Sequence, residues 1–424
     1  MCNFAKTLLL VVLLAGCAST NHDIAIPQSA QPAKTTQKLN APFYGKFGGK
    51  SVEIKESKRT LPMRGVWVAT VKNLDIHRHH DAANYNKEIK AIFDSVSQHG
   101  ANAVFFQVRS WNDAMYPSKL NPWSRWLTGK EGVAIEGLDP LAVALTEARR
   151  HKVQFHAWLN PYRVCEAPAS ISKEKAIVKL SKDNFARKHP EYVISVSANG
   201  QQLLILDPGY PQVRKHIVDS VKEILNVYAV DGIHLDDYFY PYSQIGNLDS
   251  KSAALHNKGK MPIDDWRRNN IDLLIKDLSD AVHAAAKRQK RRIVFGVSPF
   301  GIWANRKHNQ DGSQTEGLES YYRLYADSRK WVRLGWVDYI APQLYWSFDY
   351  QAAAFAGLVE WWCRQVEGTN VELYIGMALY QAAPSGKWHE TGEIQKQLAF
   401  IKQFPQVKGA IMFRSSFLSY LANW

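Results

Sequence analysis

Asp231-Gly232-Ile233-His234-Leu235-Asp236-Asp237-Tyr238 is the stretch on which the reading of the fold turns. Successive side chains of a β-strand point to opposite faces. Ile233 and Leu235 give this run one apolar face suited to helices, while His234, Asp236 and Tyr238 share the other. A short apolar strand that is polar on its second face and ends in carboxylates fits a barrel strand opening on an active site.

Seven more β-rich runs occur, at residues 64–70, 103–109, 154–160, 293–299, 339–345, 373–380 and 410–414. Helical patterns lie between them at 86–99, 140–152, 211–228, 266–289, 321–334, 355–365 and 394–403. Strand and helix alternating in this way predict an α/β fold, a single (β/α)8 barrel formed by residues 61–424. An open doubly wound sheet is the alternative, but no Gly-x-Gly-x-x-Gly follows the first strand. Connections after the second to fifth strands are long, above all 160–206 and 238–265. They predict an extended groove on the C-terminal face.

The same alternation turns Phe105, Gln107 and Arg109 inward on the second strand, and His156, Trp158 and Asn160 on the third. It selects Gly296 and Ser298 on the fifth, Gln343 and Tyr345 on the sixth, Tyr380 on the seventh and Arg414 on the eighth. A barrel filled only for packing favours Val, Ile and Leu; this set is richer in amides, Arg and aromatic rings. Rings stack on pyranose faces, and amides and guanidinium groups bond to hydroxyls, so the set reads as a sugar-binding surface. Trp111, Trp123, Trp126, Trp303, Trp346 and Trp388 add aromatics on the loops, where they serve as subsites or as pins for the loops.

Asp236 is the one acidic residue at an inward strand position, and Asp237 follows it. Glycosidases ordinarily use one carboxyl to protonate the leaving oxygen and a second to attack the sugar or activate water. Asp236 and Asp237 are therefore the candidate catalytic residues, provided the strand end twists enough to bring both to the groove. Asp207, in Leu206-Asp207-Pro208-Gly209, is a further candidate, or simply the cap of the next helix. No His-Glu-x-x-His, paired Cys-x-x-Cys, nucleophile elbow or Walker loop is present. His77, His79 and His80 read as loop histidines. No cofactor and no metal are expected.

The chain has 424 residues and a net charge of +14. Its one prominent apolar run, residues 8–18, is too short to span a bilayer, which takes about 20 residues. With Lys6 before it, the run reads as an export signal. Leu14-Ala15-Gly16-Cys17 resembles the lipobox of bacterial lipoproteins, implying cleavage after residue 16 and a lipidated Cys17. Ala18 in place of Asp favours the outer membrane by the same resemblance. Residues 17–60, rich in Ser, Thr, Gln, Pro and Ala in their first half, read as a flexible tether, although 41–60 could add a short strand to the domain. Cys165 and Cys363 are too few for a disulfide framework. The basic balance points to an acidic polymer or lipid surface. No finger spacing or helix-turn-helix pattern points to nucleic acid.

Several segments stand in a distinctive order: Met63-Arg64-Gly65-Val66-Trp67-Val68-Ala69-Thr70, Asn102-Ala103-Val104-Phe105-Phe106-Gln107-Val108-Arg109 and Tyr116-Pro117-Ser118. There follow His156-Ala157-Trp158-Leu159-Asn160-Pro161-Tyr162-Arg163, the Leu206–Gly209 segment, and Asp231 through Tyr238-Phe239-Tyr240. The series continues with Gly296-Val297-Ser298-Pro299, Ala341-Pro342-Gln343-Leu344-Tyr345-Trp346 and Tyr374-Ile375-Gly376. Together they resemble the glycosyl hydrolase-like family of YddW-type bacterial lipoproteins.

The resemblance implies a barrel glycosidase on the periplasmic side of the outer membrane. It would act on peptidoglycan, especially glycan strands stripped of stem peptides, with division-site proteins as partners. Asp236 would be nucleophile or electrostatic stabiliser and Asp237 its assistant or the acid. Trp67, Gln107, Arg109, Asn160, Tyr162, Arg163, Asp207, Tyr238, Tyr240, Ser298, Gln343, Tyr345, Trp346, Tyr380 and Arg414 would bind substrate. The fourth strand also resembles the amylase-type strand, but His234 replaces its Arg, and Ser298-Pro299 stands where such enzymes carry an acid/base Glu. A non-catalytic glycan binder and a lytic enzyme forming anhydro ends are the competing readings.

Overall fold

The structure, a computed structural model, describes residues 43–47, 50–54, 59–198 and 200–424. Cys17, the signal segment and the tether as far as residue 42 lie outside the described residues. Within the remainder of the 17–60 stretch, Phe43–Phe47 and Lys50–Ile54 pair as an antiparallel hairpin.

Eight parallel strands close into a barrel. They are β1 Met63–Val68, β2 Ala103–Arg109, β3 Gln154–Leu159, β4 Gly232–Leu235, β5 Val294–Val297, β6 Tyr339–Ile340, β7 Glu372–Met377 and β8 Val407–Met412. The principal connecting helices are α1 Ala82–Gln98, α2 Pro140–Arg150, α3 Pro211–Val227, α4 Ile263–Gln289, α5 Ser328–Arg333, α6 Phe355–Val366 and α7 Glu393–Ile401. After β8 a 3₁₀ turn, Ser415–Tyr420, stands in place of an eighth helix. Asp81 and Asp139 start α1 and α2 by accepting backbone N–H bonds, and Pro140 adds its preset φ at the first turn of α2. Phe43–Phe47 runs beside α6 and Lys50–Ile54 beside α7.

Three local departures from the expected elements have physical causes. The sixth run pairs continuously only at Tyr339–Ile340, because Pro342 has no N–H to give the ladder; pairing resumes as single bridges from Gln343 to Phe300 and Gly376. The expected helix over 321–334 divides into Ser320–Arg323 and α5, separated by a turn in which Tyr325 takes a left-handed φ of 51°. The long connection after β3 carries its own antiparallel sheet, Arg163–Pro168, Val193–Ala198 and Gln201–Leu206. The dipeptide Asn199-Gly200, which follows Val193–Ala198 in the sequence, is a hairpin signal that the sequence holds in plain view.

The alternation along the strands divides the core in two. Val66, Val68, Val104, Phe106, Phe155, Ala157, Ile233, Leu235, Phe295 and Val297 pack outward into the layer shared with the helices. Met63, Trp67, Phe105, Trp158, Tyr339, Tyr374 and Ile411 fill the barrel itself. Glycines admit these large rings. A Cβ on Gly296 would lie 2.1 Å from the Tyr339 ring, and one on Gly232 would lie 2.4 Å from His156. The barrel is thus a packed column closed below and polar above.

Candidate active site

β4 ends at Leu235, so Asp236 and Asp237 lie just beyond it, where strand alternation no longer dictates direction. Both carboxyls face the barrel mouth, held by different neighbours. Asp236 Oδ2 accepts from Asn160 Nδ2 at 2.5 Å and from Trp158 Nε1 at 3.2 Å, and Oδ1 accepts from the Tyr238 N–H at 3.2 Å. Asp237 accepts from the Tyr242 hydroxyl and, at 3.1 Å, from Gln343 Nε2.

The amides around Asp236 have a fixed polarity. Gln107 Oε1 accepts from the backbone N–H groups of Thr70 and Val71 at 3.0 and 2.9 Å, so its Nε2 must donate to Asn160 Oδ1, 2.7 Å away. That leaves the Asn160 amide nitrogen for the carboxylate. Gln107 and Asn160 are buried and bonded in this way, so they position Asp236 rather than line a subsite. Gln343 combines its bond to Asp237 with one to the Ser298 carbonyl at 2.9 Å.

Burial raises both carboxyls. Asp236 is pushed up to about 7, first by loss of solvent and then by the charge of Asp237, against the pull of its donors. Asp237 is also raised, chiefly by burial, although Tyr242, Gln343 and Arg163 oppose the shift. Two adjacent buried carboxyls cannot cheaply ionise together, so the pair holds one proton near neutral pH and titrates as a unit. The Arg163 guanidinium stacks on Tyr238 at 4.2 Å and on Trp111 at 5.6 Å, and meets Glu166 at 3.4 Å.

Aromatic rings, all half-buried except the buried Phe300, surround the pair. Tyr238, Tyr242, Phe300 and Trp346 form one row, with centroid spacings of 5.3, 6.1 and 5.5 Å. Tyr345, Phe413 and Tyr380 form a second cluster, with spacings of 6.0, 6.2 and 6.3 Å. Burial, with smaller contributions from Tyr380 and the two carboxylates, raises the Tyr345 phenol. Trp67 lies in the floor, 2% exposed, with its indole N–H donated to His234 Nε2 at 3.1 Å. Ser298 meets the same His234 nitrogen, also at 3.1 Å.

Several expected substrate-binding residues do other work. Arg109 is fully buried and spends its guanidinium on Asn121, Asn112 and the carbonyls of Asn160 and Pro161; it braces the loops. Arg414 is drawn away by Asp75, whose Oδ1 it meets at 2.7 Å. Tyr162 and Tyr240 are buried in the shell outside the barrel, because past the strand ends the chain turns them into the loop core. Asp207 is buried near Ser252, Asp249 and Arg267, raised by burial to about 6, and accepts from the Gly209 N–H at 2.8 Å. That makes it a turn brace within the loop core. Trp158 and Tyr242 are the additional residues on the carboxyls. Trp158 was legible from strand parity; no periodic signal marks Tyr242, which lies on a loop.

Cys165 and Cys363 are buried free thiols. His77 and His79 both close on Glu88. Among the described residues no group of three or more His, Cys, Asp or Glu side chains is arranged to hold a metal, and no helix is long and apolar enough to cross a membrane.

Glycosyl hydrolase YngK of Bacillus subtilis is 39% identical over 359 residues, covering 83% of this chain and 68% of the relative. Glycosyl hydrolase DigH of Escherichia coli is 35% identical over 431 residues, 97% of this chain and 92% of the relative. Among solved structures, the endo-beta-1,4-mannanase of Thermotoga petrophila overlaps with a TM-score of 0.48 at 11% identity, covering 84% of this chain and 67% of that one. The glycosyl hydrolase-like 10 family matches residues 62–391, and the chain belongs to that family.

Proposed function

We propose that this protein cleaves the glycan strands of peptidoglycan, chiefly strands already stripped of stem peptides, in cell-wall remodelling or division. The observation that carries the reading is the Asp236–Asp237 pair, raised by burial and set among sugar-sized aromatic faces. A carboxyl that keeps a proton near neutral pH can protonate a glycosidic oxygen, and an ionised neighbour can stabilise the positive charge that develops on the sugar. The pair shares its proton, and once substrate is bound the two donors on Asp236 Oδ2 favour Asp236 as the anion, with the proton on Asp237. The Tyr242 hydroxyl can donate to Asp237 or accept from it, which suits Asp237 to release the proton. Tyr238, Tyr345, Trp346 and Tyr380 would stack on sugar rings, with Arg163 at the rim.

The substrate assignment rests on the family and on charge. Removing residues 1–16 takes away only Lys6, leaving a mature charge of +13 from the +14 of the whole chain. Denuded glycan keeps the lactyl carboxylates of its muramic acid units, so it is anionic. A lipid on Cys17 would hold the barrel at the outer membrane, with the following residues giving reach; Cys17→Ser should release the protein from membrane fractions.

The test is incubation of the mature protein with amidase-treated sacculi. Peptide-free oligosaccharides should appear, and Asp236→Asn should abolish them. Binding without product at any pH would make the protein a glycan-binding module instead.

A further inference from the structure

Resting on that reading, we infer that the sugar at the cleavage point supplies its own nucleophile. The bond cut would be one whose anomeric carbon belongs to a 2-acetamido sugar. The premise is geometric. Direct displacement by an enzyme carboxylate, or by water, places two carboxyls on opposite faces of the sugar, about 5–9.5 Å apart. Such pairs are usually drawn from different strands. Here Asp236 and Asp237 are consecutive residues at one strand end, both aimed at the mouth and each anchored from one side of the barrel.

Among the described residues, the inward positions at the ends of the other seven strands bring no carboxylate to face the pair. They are Ala69 on β1, Gln107 on β2, Asn160 on β3, Ser298 on β5, Gln343 on β6, Gly376 and Ala378 on β7, and Phe413 on β8. Two acidic side chains on nearby loops are engaged elsewhere. Asp75 is paired with Arg414 at 2.7 Å and accepts from the Ala69 N–H at 2.7 Å. Glu166 is shared between Lys72 at 2.7 Å and Arg163 at 3.4 Å.

Neighbouring carboxyls suit a different division of labour, because both their targets lie on one edge of the sugar. The glycosidic oxygen sits on C1 and the acetamido N–H on C2. Asp237 gives its proton to the glycosidic oxygen as the C1–O bond breaks, while the acetamido carbonyl oxygen forms a bond to C1. Asp236 takes the hydrogen bond, and then the proton, of the acetamido N–H, leaving a neutral oxazoline. Water then adds to C1 as the C1–O bond of the oxazoline breaks, and gives a proton to Asp237; the oxazoline oxygen becomes the acetamido carbonyl again, and Asp236 returns the nitrogen's proton. The sum is addition of one water with retained configuration.

The local structure fits each demand. Asp236 Oδ1 receives only one backbone donor, leaving room for the substrate N–H. Apolar Trp67, Ala69, Trp158 and Ala341 pack together in the barrel beneath, a floor suited to the acetamido methyl.

The experiment uses the mature full chain and three readouts. On denuded glycan the products should keep the configuration of the cleaved bond, seen by NMR before mutarotation. A thiazoline of an N-acetylglucosamine or N-acetylmuramic acid oligosaccharide, which mimics the oxazoline, should inhibit competitively. Chemically N-deacetylated glycan should bind yet be cut about 1,000-fold more slowly, since the intramolecular nucleophile is gone. Glu166→Gln should cleave as wild type does. Inverted or anhydro-ended products, thiazoline indifference, undiminished cleavage of deacetylated glycan, or loss of cleavage in a folded Glu166→Gln variant would each overturn the inference. Failure of the wild type to cut any glycan would instead sink the glycosidase reading itself.

Discussion

Two polar layers lie within a few residues of each other inside one barrel, and burial does opposite things to them. The lower layer is a closed relay. Trp67 can only donate, so His234 Nε2 accepts; His234 Nδ1–H then donates to the Tyr339 hydroxyl at 2.9 Å, which donates to His156 Nδ1 at 3.2 Å. Loss of solvent pushes His156 down to about 3 and His234 far below its ordinary value, so both rings stay neutral. The upper layer is the carboxyl pair, where the same loss of solvent works upward and stores a proton. Desolvation favours whichever form is uncharged. It therefore makes the histidines inert and the aspartates capable of donating. The lower layer gives the barrel a rigid base; the upper layer gives it a titratable mouth.

The strongest way to break this comparison is Asp236→Asn. Cleavage should fall by about 10³-fold or more, measured as kcat/KM on denuded glycan. Stability should move the other way. A carboxyl raised on folding favours the folded state below its unfolded value near 3.8, and that advantage is lost as pH climbs toward its folded value of about 7. At pH 8 the wild type carries the full cost of a buried charge, and the variant does not. Asp236→Asn should therefore be more stable there by roughly 1–3 kcal/mol, read as a higher urea midpoint, with the difference vanishing near pH 4. Equal stability at both pH values would show that Asp236 is ionised without penalty.

The matching test of the lower layer is His156→Ala. His156 stacks on Phe105 at 4.5 Å, so the variant opens a cavity under that ring and strips the Tyr339 hydroxyl of an acceptor. A loss of about 2–4 kcal/mol is expected. The activity of the folded fraction should stay within about tenfold, because the change is to packing, not chemistry. A collapse of kcat with stability preserved would mean the relay reaches the reacting atoms.

The pH dependence sharpens the contrast further. With both histidines locked neutral, no histidine limb should appear near pH 6.5, and activity should instead decline as pH rises through about 7, when the carboxyl pair loses its shared proton. The Tyr242 hydroxyl holds the Asp237 carboxyl down. Tyr242→Phe should let it rise, moving the alkaline limb upward by up to about one pH unit and lowering the plateau about tenfold. A limb that moves down would mean that Tyr242 stabilises the protonated form.

Much of this was legible in the residues. Alternation along Gly232–Leu235 separated Ile233 and Leu235 from His234, and the repeated pattern closed the barrel. Parity also placed Trp158 and Asn160 beside Asp236. It faltered where strands end. On β8 the parity itself was reversed: Ile411 and Phe413 face the barrel while Ala410 and Met412 pack outward, so Arg414 turns away to Asp75; Tyr162 and Tyr240 obey the loop core, a tertiary fact with no period. Nor could parity tell a sugar-facing amide from one used up inside: Gln107 looked like a subsite residue, yet its partners are Thr70, Val71 and Asn160. The three-stranded insertion after β3 was missed although Asn199-Gly200 announces a hairpin, because the flanking runs are short and only one is strongly apolar.

The smallest effect belongs to the rim, where neither layer's electrostatics reach. Tyr380 is half-buried, edge-on to Phe413 and Tyr345, and packed against Phe417 at 6.5 Å. Part of the ring is thus already paid for by its neighbours, and only the exposed part is free to meet a sugar. Tyr380→Ala should remove one stacking face worth roughly 1 kcal/mol, raising KM about fivefold. The kcat should hold, since nothing in the ring touches Asp236 or Asp237. The effect should grow with glycan length if Tyr380 serves a distal sugar, and it should be equal on short and long oligosaccharides if the ring stacks on the sugar being cleaved. A fall in kcat without a change in KM would place Tyr380 with the carboxyl pair and erase the boundary between mouth and rim.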